Sequence, residues 1–234
     1  MHARAAVVDD SAWIAAALNR RREPLVQHAP VFWRSAPDAV SRHRAFLDQL
    51  LRDSGAMAYR TDDSVLVAAR RADGWLVDDF FVDQESWTRD GRDLWNAFWP
   101  RLSGRPRAVR VSGLRARPRS LRPAGETDIT ASWWLKELPG SGGGDACVEV
   151  TLPGAQAITV PAPRVYVPPG PILFLPEVTN PQQAVPVATG QAHDLGCAAV
   201  VVNVEPGDTD LPPTLAKAGF RRHCDYYEGA IRSV

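Results

Sequence analysis

Two carboxylate-bearing segments sit where proton chemistry is plausible on residue type alone. Asp83 and Glu85 follow the strand candidate Trp75–Val82, and Glu177 follows the run Ile172–Leu175. A carboxylate at the end of an apolar strand can take a proton directly or through a water. A solvated turn or a helix cap is the competing use of the same residues. Tyr226 and Tyr227 can each donate a proton. Consecutive strand residues point to opposite faces, so only one of the pair lines any single site. His223, in Arg221-Arg222-His223, could relay a proton near neutral pH or sit as an ordinary surface histidine. Cys147, Cys197 and Cys224 form no closed disulfide set and lack the spacings of a metal site, so no metal is expected. As nucleophiles they would need an activating base that sequence separation does not supply.

Basic residues form the other conspicuous group. The chain carries 27 Lys+Arg against 27 Asp+Glu, and only Lys136 and Lys217 are lysines. Eight arginines, from Arg101 to Arg122, lie in a stretch free of acidic residues through Gly125. Such a stretch could hold a phosphate, an acidic substrate or nucleic acid. No nucleic-acid motif accompanies it, and strand alternation would divide its side chains between faces, so no specific nucleic-acid partner is expected.

Elements able to position these groups follow from periodicity. A strand at Ala5–Val8 precedes a helix capped by Asp10 and Ser11, with Trp13, Ile14, Ala17 and Leu18 on its buried face. A second helix spans Asp38–Arg52, its apolar side formed by Val40, Phe46, Leu47, Leu50 and Leu51. Strands are expected at 56–60, 65–70 and 75–82, then a helix over 87–102 and strands at 107–111 and 127–135. The segment Pro139-Gly140-Ser141-Gly142-Gly143-Gly144 breaks all periodicity and serves as linker or long loop. Beyond it come strands at 147–152, 158–160, 165–167 and 172–175. An irregular helix follows around 182–195, with Asn180 as cap and Pro181 in its first turn if Pro186 can be accommodated. Ala198–Val204 is the clearest central strand; a short helix at 212–218 and a strand at 220–228 complete the chain.

These elements describe an α/β protein of mixed sheets flanked by helices in two unequal lobes: residues 1–138, a linker at 139–146, and residues 147–234. The lobes share an order. Phe80-Phe81-Val82-Asp83 and Phe174-Leu175-Pro176-Glu177 lie 94 positions apart, as do Ala124-Gly125 and Ala218-Gly219. No apolar run is long enough to span a membrane, and the N-terminus carries Asp9 and Asp10 rather than a signal-peptide run, so a cytoplasmic location is expected.

The distal segment Leu195-Gly196-Cys197 through Val204, followed by Ala218-Gly219-Phe220-Arg221-Arg222-His223 and Tyr226-Tyr227-Glu228, resembles the late strand, short helix and Gly-Phe segment of the GCN5-related N-acetyltransferase (GNAT) superfamily. Residues 3–137 resemble a fuller domain of the same kind, and the distal lobe its C-terminal half.

The resemblance implies an acyl-CoA N-acyltransferase-like fold and transfer of an acetyl or other short acyl group to a small primary amine. A noncatalytic module binding a small ligand or a protein is the alternative. It implies acetyl-CoA or a related acyl-CoA as cofactor, held by a bulged strand and the following helix N-terminus. Here those positions are Val82, Arg89, Gly91 and Arg92 in the first lobe, and Leu175 and Asn180 in the second. Glu85 and Glu177 become base candidates and Tyr227 the proton donor, because the family's usual tyrosine position holds Leu215. The usual Gln/Arg-x-x-Gly-x-Gly/Ala loop is absent from both lobes. A homodimer is compatible with the sequence.

Overall fold

The structure, a computed structural model, describes residues 2–23, 26, 29–53, 55–71, 74–82, 89–98, 100, 109–114, 128–142, 147–163 and 165–228. Chain contacts divide it into two compact units. The first comprises Met1–Leu25, Asp38–Ile129 and Tyr226–Val234; the second comprises Val26–Pro37 and Thr130–Asp225. The glycine-rich segment 139–146 falls within the second unit's range, and Val26–Pro37, from the first half of the sequence, belongs to that unit as well.

In the first unit, β1 (Arg4–Ala5), β2 (Ala56–Arg60), β3 (Ser64–Arg71), β4 (Gly74–Val82) and β5 (Val109–Leu114) lie side by side in that order. The first four are antiparallel, and β5 joins parallel to β4. Three helices belong to this unit: α1 (Ser11–Arg22), α2 (Ala39–Leu50) and α3 (Arg89–Phe98). One apolar cluster joins Ile14, Ala17 and Leu18 of α1 to Leu47 of α2 and Val65 and Val67 of β3. A second sets Leu94, Trp95 and Phe98 of α3 against Tyr59, Leu66, Ala68 and Val77. Because Val65 and Val67 share one cluster, and Leu66 and Ala68 the other, β3 alternates between two covered faces.

Several local expectations are corrected. The strand at Ala5–Val8 shrinks to Arg4–Ala5, and a 3₁₀ turn occupies Val8–Asp10. Asp10 precedes α1 without capping it. Its carboxylate instead accepts from the Val7 N–H at 2.9 Å, from Arg4 at 2.7 Å and from Arg60 at 3.1 Å. The Arg4 pairing, with help from Val7 and Arg60, pulls the buried acid down to about 2. On α2, Val40 and Phe46 lie exposed rather than in the core. His43 is buried in their stead, against Arg22 at 3.0 Å.

The second unit orders its strands β11 (Arg221–Glu228), β6 (Asp128–Glu137), β10 (Ala199–Val204), β9 (Ile172–Val178), β8 (Ala155–Val160) and β7 (Val148–Leu152). β10 is central, as its unbroken apolar run demands: Ala199 through Val202 are all buried. The expected strand at 165–167 reduces to one bridge, Ser35–Tyr166, supported by the Ala36 N–H on the Val165 carbonyl and the Val167 N–H on the Arg34 carbonyl.

Two helices, α4 (Pro181–Asp194) and α5 (Leu211–Lys217), cover one face of this sheet through Ala184, Val185, Ala188, Leu211 and Leu215. The other face is met by Val31 and Phe32, packed on Leu135, Ala198, Ala199 and Val201. The Val31 N–H donates to the Glu137 carboxylate at 2.8 Å. Pro186 lies inside α4 rather than before it. As the sixth residue it removes only the bond to the Gln182 carbonyl, which one helix turn tolerates.

The two units repeat one plan. β2–β3–β4 and β7–β8–β9 are antiparallel three-strand meanders, each followed by a helix and then a strand parallel to the third. Among its described residues the second unit has no counterpart of α1 and α2.

Candidate functional site

A bulge marks the same strand in both units. In the first, Val67 pairs with Asp79 while its neighbour Ala68 pairs with Val77, leaving Asp78 as the extra residue of β4. The parallel pairing with β5 runs through Trp75–Val109 and Leu76–Arg110 and ends at Val77–Val111, directly before the bulge. β4 continues to Val82 and β5 to Leu114, so both strands carry backbone groups past the point where they part. α3 then begins with Arg89, Asp90, Gly91 and Arg92, and Gly91 is buried while Arg92 is exposed.

In the second unit, Gln156 pairs with Glu177 and Ile158 with Phe174, so Leu175 and Pro176 together oppose Ala157. The parallel pairing of β9 with β10 ends at Leu175–Val202, again at the bulge. Here one side chain spans the opening: the side-chain amide of Asn203 donates to the Pro176 carbonyl at 3.4 Å. On the opposite, β8 edge of β9, the N–H groups of Thr179 and Asn180 both donate to the Gly154 carbonyl, at 2.8 and 3.0 Å. Asn180 caps α4 by accepting from the Gln183 N–H at 3.3 Å, and the Ala184 N–H bonds the Asn180 carbonyl. Gly154 allows this approach because a Cβ there would lie 2.5 Å from Asn180 Cβ.

The anticipated residues fall into two groups. Val82 ends β4, and Arg89, Gly91 and Arg92 form the first turn of the helix that follows. Leu175, Glu177 and Asn180 gather at the end of β9 and the start of α4: Leu175 buried at the bulge, Glu177 exposed and Asn180 the cap. Tyr227 lies on β11 in the part assigned to the first unit. Glu85, Asp83, Leu121, Ala124-Gly125, Trp87 and most of the arginine stretch from Arg101 to Arg122 lie outside the described residues.

The bulges also fix a structural register between the units. Val77 and Leu175, the last paired residues, are 98 positions apart rather than 94, which makes Asp79 the counterpart of Glu177. Asn203 and Gly154 escaped sequence reasoning. An asparagine inside a valine-rich run and a glycine in an ordinary hairpin carry no signal of what they contact.

The segments that carry the sequence resemblance stop helices. Gly219, at φ +84°, follows α5; its N–H bonds the Ala216 carbonyl, and the Phe220 N–H reaches back to the Leu215 carbonyl. This is a Schellman motif, completed by apolar contact of Phe220 and Leu215 in the core. α4 ends the same way at Gly196, with the Cys197 N–H on the Ala192 carbonyl. Leu215 is fully buried in this role.

His223, Cys197 and Cys224 are buried too. His223 stands edge-on to Trp33 at 5.1 Å between ring centroids, and its Nε2 is buried without a hydrogen bond. Burial, aided by Arg221, lowers it to about 4, so it is neutral at pH 7. Burial raises the Cys197 thiol and pushes Cys224 up to about 12, so neither is a thiolate near neutrality. Among the described residues no group of three or more metal-ligating side chains occurs, and no helix is long and apolar enough to cross a membrane.

An α/β plan with a bulged strand parting from its parallel neighbour just before a helix is the GNAT fold, present here twice in unequal form. Solved structures bear this out along nearly the whole chain. A tandem GNAT protein from the clavulanic acid biosynthesis pathway superposes with a TM-score of 0.53 at 10% identity, covering 97% of this chain and 98% of its own. A GCN5-related N-acetyltransferase from Sphaerobacter thermophilus gives 0.52 at 13% identity, over 98% and 95%. A putative acetyltransferase from Pyrococcus horikoshii gives 0.51 at 9%, over 98% and 89%. No protein-family model matches the sequence, and no curated protein matches it closely.

Proposed function

We propose that this protein is acetyltransferase-like: it binds an acyl-CoA on its first unit and transfers an acetyl or short acyl group to a small primary amine. The observation that carries this reading is the parting of β4 from β5 at Asp78, followed by a helix whose first turn holds Arg89 and Arg92. Unpaired strand groups suit the amides of a pantetheine arm, and a helix N-terminus carrying two arginines suits its phosphates. In this reading Val82 and its neighbours hold the arm, while Arg89, Gly91 and Arg92 hold the phosphates. Bound acyl-CoA supplies an activated thioester.

The chain's own residues then manage protons. Glu85 draws one from the amine, making it nucleophilic, and the Tyr227 hydroxyl returns one to the leaving group. A thiol-release assay over an amine panel tests the assignment. Turnover is expected to fall about a hundredfold or more in Glu85→Gln and Tyr227→Phe, and unchanged turnover in both would remove them from the mechanism. One observation favours a noncatalytic ligand-binding module instead: the tyrosine position of the second unit is Leu215, sealed in the core.

A further inference from the structure

We propose that the second unit takes no acyl-CoA, because Asn203 spans the opening between β9 and β10 and the N–H donors where β9 leads into α4 are used internally. The inference builds on the reading of the first unit as the cofactor site. A pantetheine arm offers amide N–H groups to strand carbonyls and needs N–H donors in return; its phosphates need several more at the helix N-terminus. In the second unit an amide already sits there. Asn203 Nδ2 bonds the Pro176 carbonyl, the same kind of contact an arm amide would make.

Donors are scarce as well. Pro176 and Pro181 have no N–H. Thr179 and Asn180 both donate to the Gly154 carbonyl, Gln183 to the Asn180 side chain, and Ala184 to the Asn180 carbonyl. From Thr179 to Ala184 this leaves Gln182 as the one N–H able to meet a phosphate.

Charge adds to the mismatch. α4 contains no lysine or arginine, Glu177 is exposed beside it, and the residues of this unit include six Lys+Arg against nine Asp+Glu. A ligand carrying a pyrophosphate and a third phosphate meets a net acidic unit there. α3, by contrast, carries Arg89 and Arg92 in its first turn, beside Asp90 and Asp93. The repeat therefore retains the strand geometry of a cofactor site while its hydrogen-bonding capacity is used internally.

Hydrogen exchange on the full chain, with and without saturating acetyl-CoA, tests this on peptides spanning 89–98 and 172–184. The expected result is slowed exchange at 89–98 with rates at 172–184 unchanged within about twofold. Slowing of about tenfold or more at 172–184 would overturn the inference, whatever happens in the first unit. Unchanged exchange in both peptides would uphold the inference on the second unit and defeat the proposed cofactor site of the first.

Discussion

Acidification tests the packing around His223. His223 is 7% exposed, and Trp33, Arg221 and Glu137 act on its ring. Burial and Arg221 lower its pKa from 6.5 to about 4, while Glu137 opposes the shift. Because the folded value is depressed, the unfolded chain binds the proton first. The stability is fully present above about pH 6.5 and is lost as pH falls toward 4.

At 1.36 kcal/mol per unit the whole window is worth about 3 kcal/mol, of which about 2 kcal/mol is lost between pH 7 and pH 5. Urea unfolding of wild type and His223→Phe at those two pH values isolates the effect, since the variant cannot titrate there. Wild type should lose about 2 kcal/mol more than the variant over that interval. Equal losses would mean that His223 is accessible to protons in the folded state, and the burial argument would fail.

Other outcomes follow from the same geometry. Of the three thiols, Cys147 is exposed and the other two are buried with raised pKa values. A native thiol titration should therefore find one fast group per chain, with the remaining two appearing on denaturation. Gly154→Ala should destabilise by about 2 kcal/mol or more, because the new methyl must displace Asn180 and the cap it forms; an unchanged urea midpoint would contradict this. Asp10→Asn should cost about 2 kcal/mol at pH 7, and the difference from wild type should shrink as pH falls toward 2, where wild-type Asp10 protonates as well.

Much of the plan was legible because it rests on local rules. The valine run of β10, the period of α1 and the glycine stops at 196 and 219 each express a backbone or burial requirement that needs no distant partner. What stayed hidden depends on long-range geometry. Val26–Pro37 packs with strands over a hundred positions away, and nothing in its composition announces this. Val40 and Phe46 have the spacing of a buried face, yet the placement of α2 leaves them exposed.

Bulges are equally silent in sequence. Asp78 reads as an ordinary strand residue, and the repeat register of 94 read from residue types differs from the 98 that the ends of the parallel pairings define. The inference on the second unit rests on two contacts, Asn203 with Pro176 across β9 and β10, and Gly154 with Asn180 where β8 meets the end of β9, neither formed until those strands assemble.

The central claim is that the first unit's parted strands and the arginines at the start of α3 hold an acyl-CoA. Calorimetric titration of the intact chain with acetyl-CoA tests it most directly, beside an Arg89→Glu/Arg92→Glu variant of unchanged fold. Saturable heat at about one ligand per chain, lost in the variant, is the predicted result. Absence of heat from the wild-type chain, or equal heat from both proteins, would contradict it.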